Sequence, residues 1–488
     1  MEYSSAGTVD ATKHGPSPVV SPAALSMETK FIQQELTTVT APPASDTEGL
    51  NLNITVPCSN GQLPTTPLPV MVYIHGGGFS FGSNWFPHYD QARIVALSVE
   101  LGCPIIAVNI NYRLGIPGFL SSKELQDAGY PANRGIEDQK TAFRWIKRYI
   151  TGFGGDASTI SAIGQSAGAA SVALHLHGTE QLFEKAILLG GTTLLMKPAT
   201  PEECDMVYSR VMRDFGLDKL SEDDRIRTLS SIDLQELIQN TSPFTGLGPV
   251  MGGSIAAQLS FDSMVNKSDD LLPGKKWCPE LMMVHCRMDA SIMTAFNLMS
   301  RIDGLSNRFH STIQNAVGRN TEASRAITRL LATYGIHLGL SDHEALIPIT
   351  RFLTDIAFHE PAVTFAACWP TAYFGQFDEG NPWEGPFLGQ ANHTLDIAYL
   401  WQNYNPVLDE AQTAVATAFG EDIVRFVAGA GSNLPSFQDG EVLHYGPSSE
   451  GAIRRKSAAN RSELAAAAQQ IGGLDAVFGA AMKFLYLP

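Results

Sequence analysis

In the stretch IGQSAGAAS a serine lies between two closely spaced glycines, and this spacing suits nucleophilic chemistry at Ser166. A strand-to-helix turn that raises a serine hydroxyl above the backbone needs small flanking residues, which Gly164 and Gly168 supply. A serine activated in this way attacks carbonyl carbon atoms and forms an acyl intermediate. The alternative is that Ser166 is only a small residue in a glycine-rich bend, because this short pattern also arises by chance.

A second glycine-rich stretch, YIHGGGFSFG from Tyr73, is suited to binding the negative oxygen that such an attack creates. Consecutive glycines let backbone N–H groups approach a substrate oxygen where side chains would intrude. The alternative is a tight surface turn. His75 is expected to shape this turn rather than to titrate. Three nearby aromatic residues either line an acyl pocket or belong to the core, namely Phe79, Phe81 and Trp85.

Both glycine-rich stretches follow apolar runs, and strands alternate with helices along the chain. Strands are predicted at 70–74, 105–110 and 159–163, with further strands beginning at residues 185, 280 and 371. Helices are predicted at 133–152 and 167–177. Strands that alternate with helices indicate an α/β protein, in which a mostly parallel sheet is covered on both faces.

The domain organisation follows from shifts in composition. Residues 1–45 are rich in Pro, Ser, Thr and Ala, which predicts an irregular segment that wraps the surface or stays loose. Residues 46–488 are predicted to form a single catalytic domain. Within it, a mostly helical stretch at about 294–347 is expected to leave the sheet as a lid or cap.

Composition and charge exclude several kinds of partner. The 488 residues are 44% hydrophobic and carry a formal net charge of −16, which disfavours nucleic acid and anionic membrane surfaces. The six cysteines lack the spacing of a metal or redox site, so no metal or cofactor is expected. No apolar run is long enough to span a bilayer, and the first residues lack the features of a secretory signal. We therefore expect a cytoplasmic protein.

Several motifs together resemble the type-B carboxylesterase family, the cholinesterase-like branch of the α/β-hydrolases. They are HGGGF from His75, NYRLGIPGFL from Asn111, NRGIEDQKTAFRWI from Asn133, FGGD from Phe153 and GQSAG from Gly164. The segment FDEGNPWEGPFLGQANHTLDIAYLWQNYN, from Phe377, resembles the family's region around its catalytic histidine, in a form typical of fungal members. The resemblance begins at about residue 46. It implies the α/β-hydrolase fold, with a large central sheet, helices on both faces and a helical cap.

The resemblance also implies a role for each member of a catalytic triad. Ser166 is then the nucleophile, His393 the general base and Asp289 the acid that orients the imidazole. The chain order serine, acid, histidine is the order expected of an α/β-hydrolase. Three backbone N–H groups are implied as oxyanion donors, those of Gly77, Gly78 and Ala167.

The acid position departs from the family pattern twice, because Asp289 stands where Glu is usual and Ala290 where Gly is usual. A shorter carboxylate can still accept a hydrogen bond from an imidazole if the backbone lies closer. Asp289 could instead be a surface acid, with Asp303 or Glu379 in its place. Likewise His393 could be a structural histidine, and Asp396 is expected to hold a loop.

The activity implied is hydrolysis of a lipophilic carboxylic ester or lactone, a small-molecule substrate, through an acyl-serine and without a cofactor. A second interpretation keeps the acyl-serine but transfers the acyl group, as an acyltransferase or cyclase acting on a secondary metabolite. A third is a non-catalytic, cholinesterase-like binding protein. It is disfavoured because such proteins typically lose a triad residue, whereas this chain retains residues for all three roles.

Overall fold

The computed structural model of the chain describes residues 11–37, 40–58, 61–242, 245–252, 259–316, 321–430, 434–457 and 463–486. Its strands are β1 (Leu52–Thr55), β2 (Leu68–Ile74), β3 (Ile106–Ile110), β4 (Gly155–Gln165), β5 (Lys185–Leu189), β6 (Glu280–Cys286), β7 (Thr371–Phe377), β8 (Glu441–Tyr445) and β9 (Ile453–Ser457). Within the described residues they form one nine-stranded sheet in the order β1-β3-β2-β4-β5-β6-β7-β8-β9. The outer pairs β1–β3 and β8–β9 are antiparallel, and all other neighbours are parallel.

Helices cover this sheet. They are α1 (Ala24–Ile32), α2 (Ala92–Glu100), α3 (Gly115–Phe119), α4 (Lys123–Asp127), α5 (Arg134–Tyr149), α6 (Ala167–Leu176), α7 (Pro201–Asp214), α8 (Glu222–Ser231), α9 (Leu234–Gln239), α10 (Phe261–Leu271), α11 (Ser291–Met293), α12 (Leu305–Ala316), α13 (Thr321–Thr333), α14 (Asp342–Thr354), α15 (Glu360–Cys368), α16 (Leu395–Leu400), α17 (Glu410–Val427), α18 (Glu463–Gln469) and α19 (Leu474–Tyr486). Shorter helical turns of other types lie at Pro87–Tyr89, Ile150–Phe153, Pro273–Lys276, Thr294–Leu298, Met299–Arg301, Asp355–His359, Asn405–Val407, Phe437–Asp439 and Ser448–Glu450.

The sheet is buried on both faces, as the apolar runs predict. Successive side chains of a strand point to opposite faces. In β2, Val70 and Val72 pack into one hydrophobic cluster, whereas Met71 and Tyr73 pack into a second cluster on the other face. The predicted mostly parallel sheet is therefore confirmed, and so are its predicted strands from β2 to β7.

The carboxyl ends of the central strands meet at one edge of the sheet. In register, Gln165 at the end of β4 lies opposite Leu189 of β5, which lies opposite Val284 of β6, which lies opposite Gly375 of β7. Residues that follow these strands are thus neighbours in space although they are far apart in sequence. In open α/β sheets this edge is where ligands bind.

The segment 1–45 is not irregular throughout, because residues 24–32 form helix α1. The buried residues of this helix are Ala24, Glu28, Phe31 and Ile32, which lie on one face at helical spacing. A charged residue occupies one of these inward positions, so the apolar pattern that would predict a helix is broken. In the fold, Oε2 of Glu28 accepts hydrogen bonds from His88 and Tyr89, at 2.7 Å and 2.8 Å.

The stretch predicted as a helical excursion is helical, and its last helix, α14, extends beyond residue 347 to Thr354. The Phe309 ring of α12 packs edge-on against Phe352 of α14 and Phe484 of α19. The excursion thus packs against the helices at the end of the described chain. Its role as a cap remains a prediction.

Candidate active site

Ser166 occupies a strained turn between β4 and α6. Its backbone has φ +55° and ψ −122°, a region that non-glycine residues rarely adopt. The chain approaches itself so closely here that a Cβ on Gly168 would lie 2.0 Å from the carbonyl oxygen of Ile74. The neighbours of Ser166 on both sides are buried, whereas Ser166 is partly exposed. The predicted turn is therefore present, and its geometry is that of a nucleophile elbow.

His393 and Asp289 form a buried hydrogen-bonded pair. His393 lies between β7 and α16, and Asp289 lies in the turn after β6. The imidazole Nδ1 is 2.7 Å from Oδ1 of Asp289, and the second oxygen, Oδ2, accepts a hydrogen bond from the Cys286 backbone N–H at 2.8 Å. The backbone N–H of His393 donates to Ser291 Oγ at 2.9 Å. The carboxylate holds the proton of the imidazole on Nδ1, which leaves Nε2 unprotonated as a base.

Two adjacent glycines after β5 lie between this pair and the nucleophile. A Cβ on Gly190 would lie 3.1 Å from Asp289 Oδ1 and 3.4 Å from His393 Cε1. A Cβ on Gly191 would lie 2.2 Å from the carbonyl oxygen of Ser166. The structure therefore brings the three predicted triad residues to one place, around a segment that has no side chains.

Gln165, which directly precedes the nucleophile, was not identified by the sequence analysis. Its Nε2 lies 3.2 Å from Nε2 of His393, and both side chains are buried. Within the described residues the hydrogen bond at Nε2 of His393 is made with this amide rather than with the Ser166 hydroxyl. Catalytic hydrogen bonds often form only when substrate is bound. The only signal in the sequence is the position of Gln165 at the end of β4.

The glycine loop after β2 lies directly against the elbow. A Cβ on Gly76 would lie 3.2 Å from Cβ of Ser166. Gly77 and Gly78 have φ values of +98° and +58°, which glycine adopts without strain. Within the described residues no group accepts a hydrogen bond from the N–H of Gly77, Gly78 or Ala167. Ala167 follows Ser166 at the N-terminus of α6, and Gly77 and Gly78 follow Gly76 in the loop that lies against the elbow, so these three donors remain the predicted holders of a developing oxyanion.

The aromatic residues near this loop have different environments. Phe79 has no exposed surface, and its ring packs against Phe119 with the centroids 4.9 Å apart. Phe79 therefore packs in the hydrophobic core, which is the second of the two alternatives, and its backbone has φ +59°. Phe81 and Trp85 retain 8% of their surface, and their role as pocket residues remains a prediction.

His75 packs as a structural residue. Its Nδ1 lies 2.9 Å from the carbonyl oxygen of Gly76, and its ring stacks on Tyr112. Burial lowers the pKa of His75, so the imidazole stays neutral at physiological pH.

The two alternative acids lie in other environments. Asp303 is exposed. The Glu379 carboxylate is bound by the backbone N–H and the hydroxyl of Ser448. Burial raises the pKa of Glu379. Asp289 is therefore the carboxylate that orients His393.

Two further buried carboxylates lie near the ends of these strands. Asp396 accepts a hydrogen bond from the Ile397 N–H at 2.9 Å. Burial above all, and then the charge of Asp289, raise the pKa of Asp396 to about 7. Asp378 is paired with His444 at 2.7 Å and also contacts Arg454. The structure thus contains a second buried Asp–His pair, whose aspartate follows β7 and whose histidine lies on β8.

The described residues contain no group of three or more His, Cys, Asp or Glu side chains arranged to hold a metal ion. Among them we also find no helix with the length and apolar character that crossing a membrane requires.

Comparison with known proteins gives a consistent result. Residues 3–428 match the model of the carboxylesterase family. The chain is similar to lipase 1 of Geotrichum candidum, with 35% identity over 44% of this chain and 41% of that protein. It is also similar to the cholinesterase of Mus musculus, with 37% identity over 39% of this chain and 30% of that protein. The matched region thus spans less than half the length of these relatives.

Among solved structures, a carboxylesterase of Geobacillus stearothermophilus has 24% identity, a TM-score of 0.68 and 88% coverage of both chains. The predicted α/β-hydrolase fold is confirmed by this likeness together with the sheet topology.

Proposed function

Because the chain belongs to the carboxylesterase family, we propose that it is a serine hydrolase that cleaves carboxylic esters through an acyl-serine intermediate. The observation that carries the proposal is the buried Asp289–His393 pair beside the strained turn of Ser166. The strain at Ser166 supports a catalytic role, because an unfavourable backbone conformation persists where the surrounding structure enforces it, often at functional sites.

Acylation begins when Nε2 of His393 takes the proton of the Ser166 hydroxyl and the serine oxygen attacks the ester carbonyl carbon. The negative charge that develops on the carbonyl oxygen is held by the free N–H groups of Gly77, Gly78 and Ala167. The carboxylate of Asp289 stabilises the imidazolium that forms. As the bond to the alcohol breaks, the proton passes from Nε2 to the departing oxygen.

Deacylation repeats these steps with water. His393 takes a proton from water, the resulting hydroxide attacks the acyl carbon, and the proton returns to the oxygen of Ser166 as the acid leaves. The Gln165 amide must release Nε2 of His393 before each proton transfer, since it contacts that nitrogen in the resting structure.

We propose uncharged, lipophilic esters or lactones as the substrates. The net charge of −16 disfavours anionic substrates. Phe81 and Trp85, which follow the glycine loop and keep 8% of their surface exposed, are the candidates for apolar contacts with an acyl chain.

The test is the pair of variants Ser166→Ala and Ser158→Ala, assayed with a series of p-nitrophenyl esters. Ser158 lies on the same strand as the elbow but is exposed, so its replacement serves as the control. We expect Ser166→Ala to abolish turnover and Ser158→Ala to retain it. An organophosphonate probe should label Ser166 alone, as read by mass spectrometry. Turnover by Ser166→Ala, or labelling elsewhere, would contradict the assignment. Product analysis with a competing alcohol separates hydrolysis from acyl transfer.

A further inference from the structure

The segment between β7 and α16, residues 378–394, carries His393 and is called the histidine segment below. It is bound by the end of helix α1. The side chain of Asn392 donates a hydrogen bond to the carbonyl oxygen of Phe31 at 2.8 Å, although the two residues are 361 positions apart. The side chain of Asn381 donates to the carbonyl oxygen of Ile32 at 3.1 Å and to Oδ1 of Asn392 at 2.9 Å. The last carbonyl groups of a helix have no partner within the helix. Here the histidine segment supplies the missing donors.

Gln33, which ends α1, makes two more bonds to the same segment. Its Nε2 donates to the carbonyl oxygen of Trp383 at 2.8 Å, and its Oε1 accepts from the backbone N–H of Phe387 at 2.7 Å. The segment folds tightly around this amide, since a Cβ on Gly385 would lie 2.3 Å from Oε1 of Gln33. Gln33 thus joins two points of the loop that leads to His393.

The same helix end also touches the segment that follows the acid. The ring of Phe31 lies edge-on to Phe296, with centroids 5.0 Å apart, and stacks on Phe387 at 5.9 Å. Phe296 lies in the helical turn Thr294–Leu298, shortly after Asp289. Helix α1 therefore contacts the two segments whose side chains form the acid–base pair.

Helix α1 is itself fixed to the region after the glycine loop. The buried carboxylate of Glu28 accepts hydrogen bonds from His88 Nε2 and from the Tyr89 hydroxyl. The support for the histidine segment is therefore anchored to the part of the chain that follows the oxyanion donors. A displacement of α1 would move His393 relative to the glycine loop.

We propose that Gln33 and Asn392 are positioning residues for His393, and that α1 is part of the structure that aligns the catalytic base. This inference rests on the proposed function. Its physical basis is that the rate of proton transfer depends steeply on geometry, so that a misplacement of about 1 Å can cost roughly 10²-fold in rate. Neither residue contacts the reacting atoms, and each acts only through the backbone of the histidine segment.

The principal test is Gln33→Gly. The backbone of Gln33 has φ +69°, a conformation that glycine adopts readily, so the helix end keeps its shape while both side-chain bonds to the loop are lost. We expect kcat to fall by about 10-fold or more, with KM little changed, because the lost bonds affect the alignment of the base rather than the binding of substrate. Asn392→Ala removes the bonds of this side chain to the carbonyl oxygens of Phe31 and His393 and to the Asn381 amide, and it should have the same effect.

The matched control is Asn133→Ala. Asn133 also joins distant segments through two side-chain hydrogen bonds, both to the backbone of Val250 at 2.8 Å. Alanine at its φ of +58° is strained, so this variant should lose at least as much thermal stability as Gln33→Gly. Unlike Gln33→Gly, it should keep its kcat.

The rate at which an organophosphonate labels Ser166 provides a second readout, because this reaction requires the imidazole to activate the hydroxyl. We expect wild type and Asn133→Ala to be labelled at similar rates, and Gln33→Gly and Asn392→Ala to be labelled more slowly. Equal labelling rates in all four folded proteins would overturn the positioning role. Absence of labelling at Ser166 in wild type would instead overturn the proposed function, so the two failures are distinguishable.

Discussion

The replacement Asp289→Asn tests the acid–base pair through one detail of its geometry. The Cys286 N–H points at Oδ2 of Asp289 from 2.8 Å, so the amide of the variant should turn its oxygen toward this donor. Its NH₂ group then faces Nδ1 of His393, which lies 2.7 Å from Oδ1 in the wild type. Nδ1 must become an acceptor, and the imidazole proton moves to Nε2. The nitrogen that should take the Ser166 proton is then already protonated.

The expected loss of kcat in Asp289→Asn follows from the two orientations that the new side-chain amide can take. The variant can restore the working tautomer only by turning its NH₂ toward the Cys286 N–H, which leaves a buried donor unpaired at a cost of about 1–3 kcal/mol. At about 1.4 kcal/mol per decade of rate, the upper part of this range alone is about 10²-fold in kcat. The wrong tautomer itself is worth up to about 10⁴-fold. We therefore expect kcat to fall by about 10²- to 10⁴-fold.

The matched control is Asp378→Asn, which disrupts the other buried Asp–His pair. It should lower the unfolding free energy by several kcal/mol, because breaking a buried pair leaves an uncompensated group, but it should retain kcat. Steady-state hydrolysis of a p-nitrophenyl ester and urea denaturation measure the two quantities. If Asp289→Asn kept its kcat within about tenfold of wild type, or if Asp378→Asn lost as much activity, the reasoning would be refuted.

Three further predictions concern stability and are measured by chemical denaturation. Gly168→Ala should be destabilised by about 1–3 kcal/mol or more, because its Cβ would lie 2.0 Å from the carbonyl oxygen of Ile74, whereas Gly152→Ala, with no neighbour within 4 Å, should be nearly neutral. Burial lowers the pKa of His177 from 6.5 to about 4, so between these pH values the unfolded chain binds a proton that the native chain does not. The free energy of unfolding should therefore fall as the pH is lowered from 6.5 to 4, and it should fall less in His177→Gln. Burial and then the charge of Asp289 raise the pKa of Asp396 from 3.8 to about 7, so the native chain favours the protonated carboxyl group. The free energy of unfolding should therefore fall as the pH rises from 3.8 to 7. At pH 8, Asp396→Asn, which carries no charge, should be more stable than wild type by at most about 4 kcal/mol. An equal stability of the paired proteins would contradict each of these.

The central strands and the elbow were predictable because their signals are local. An apolar run, a serine between glycines and a helix of small residues follow one another in β4 and α6, so the pattern that predicts the turn lies within one short stretch. The partners of Ser166 carry no such signal. Asp289 and His393 are 104 residues apart, and only the resemblance to a family indicated them.

Three features of the site were outside the reach of sequence patterns. Helix α1 was missed because its inward face includes Glu28, whose partners are 60 and 61 positions away. Nearness to the glycine loop in sequence could not decide whether Phe79 lines a pocket or belongs to the core, where its ring packs against Phe119. The contact of Gln165 with His393 spans 228 positions, and a single amide beside a nucleophile does not indicate where it points.

The paired glycines after β5 limit how the proposed active site can change. Gly190 and Gly191 present only main-chain atoms to Ser166, Asp289 and His393, so these two positions have no side chain that could change specificity. A larger residue at either position would displace Ser166 from His393. New acyl or alcohol preferences must therefore arise from other residues around Ser166. Directed libraries should leave positions 190 and 191 fixed and sample the rings at Phe81 and Trp85 first.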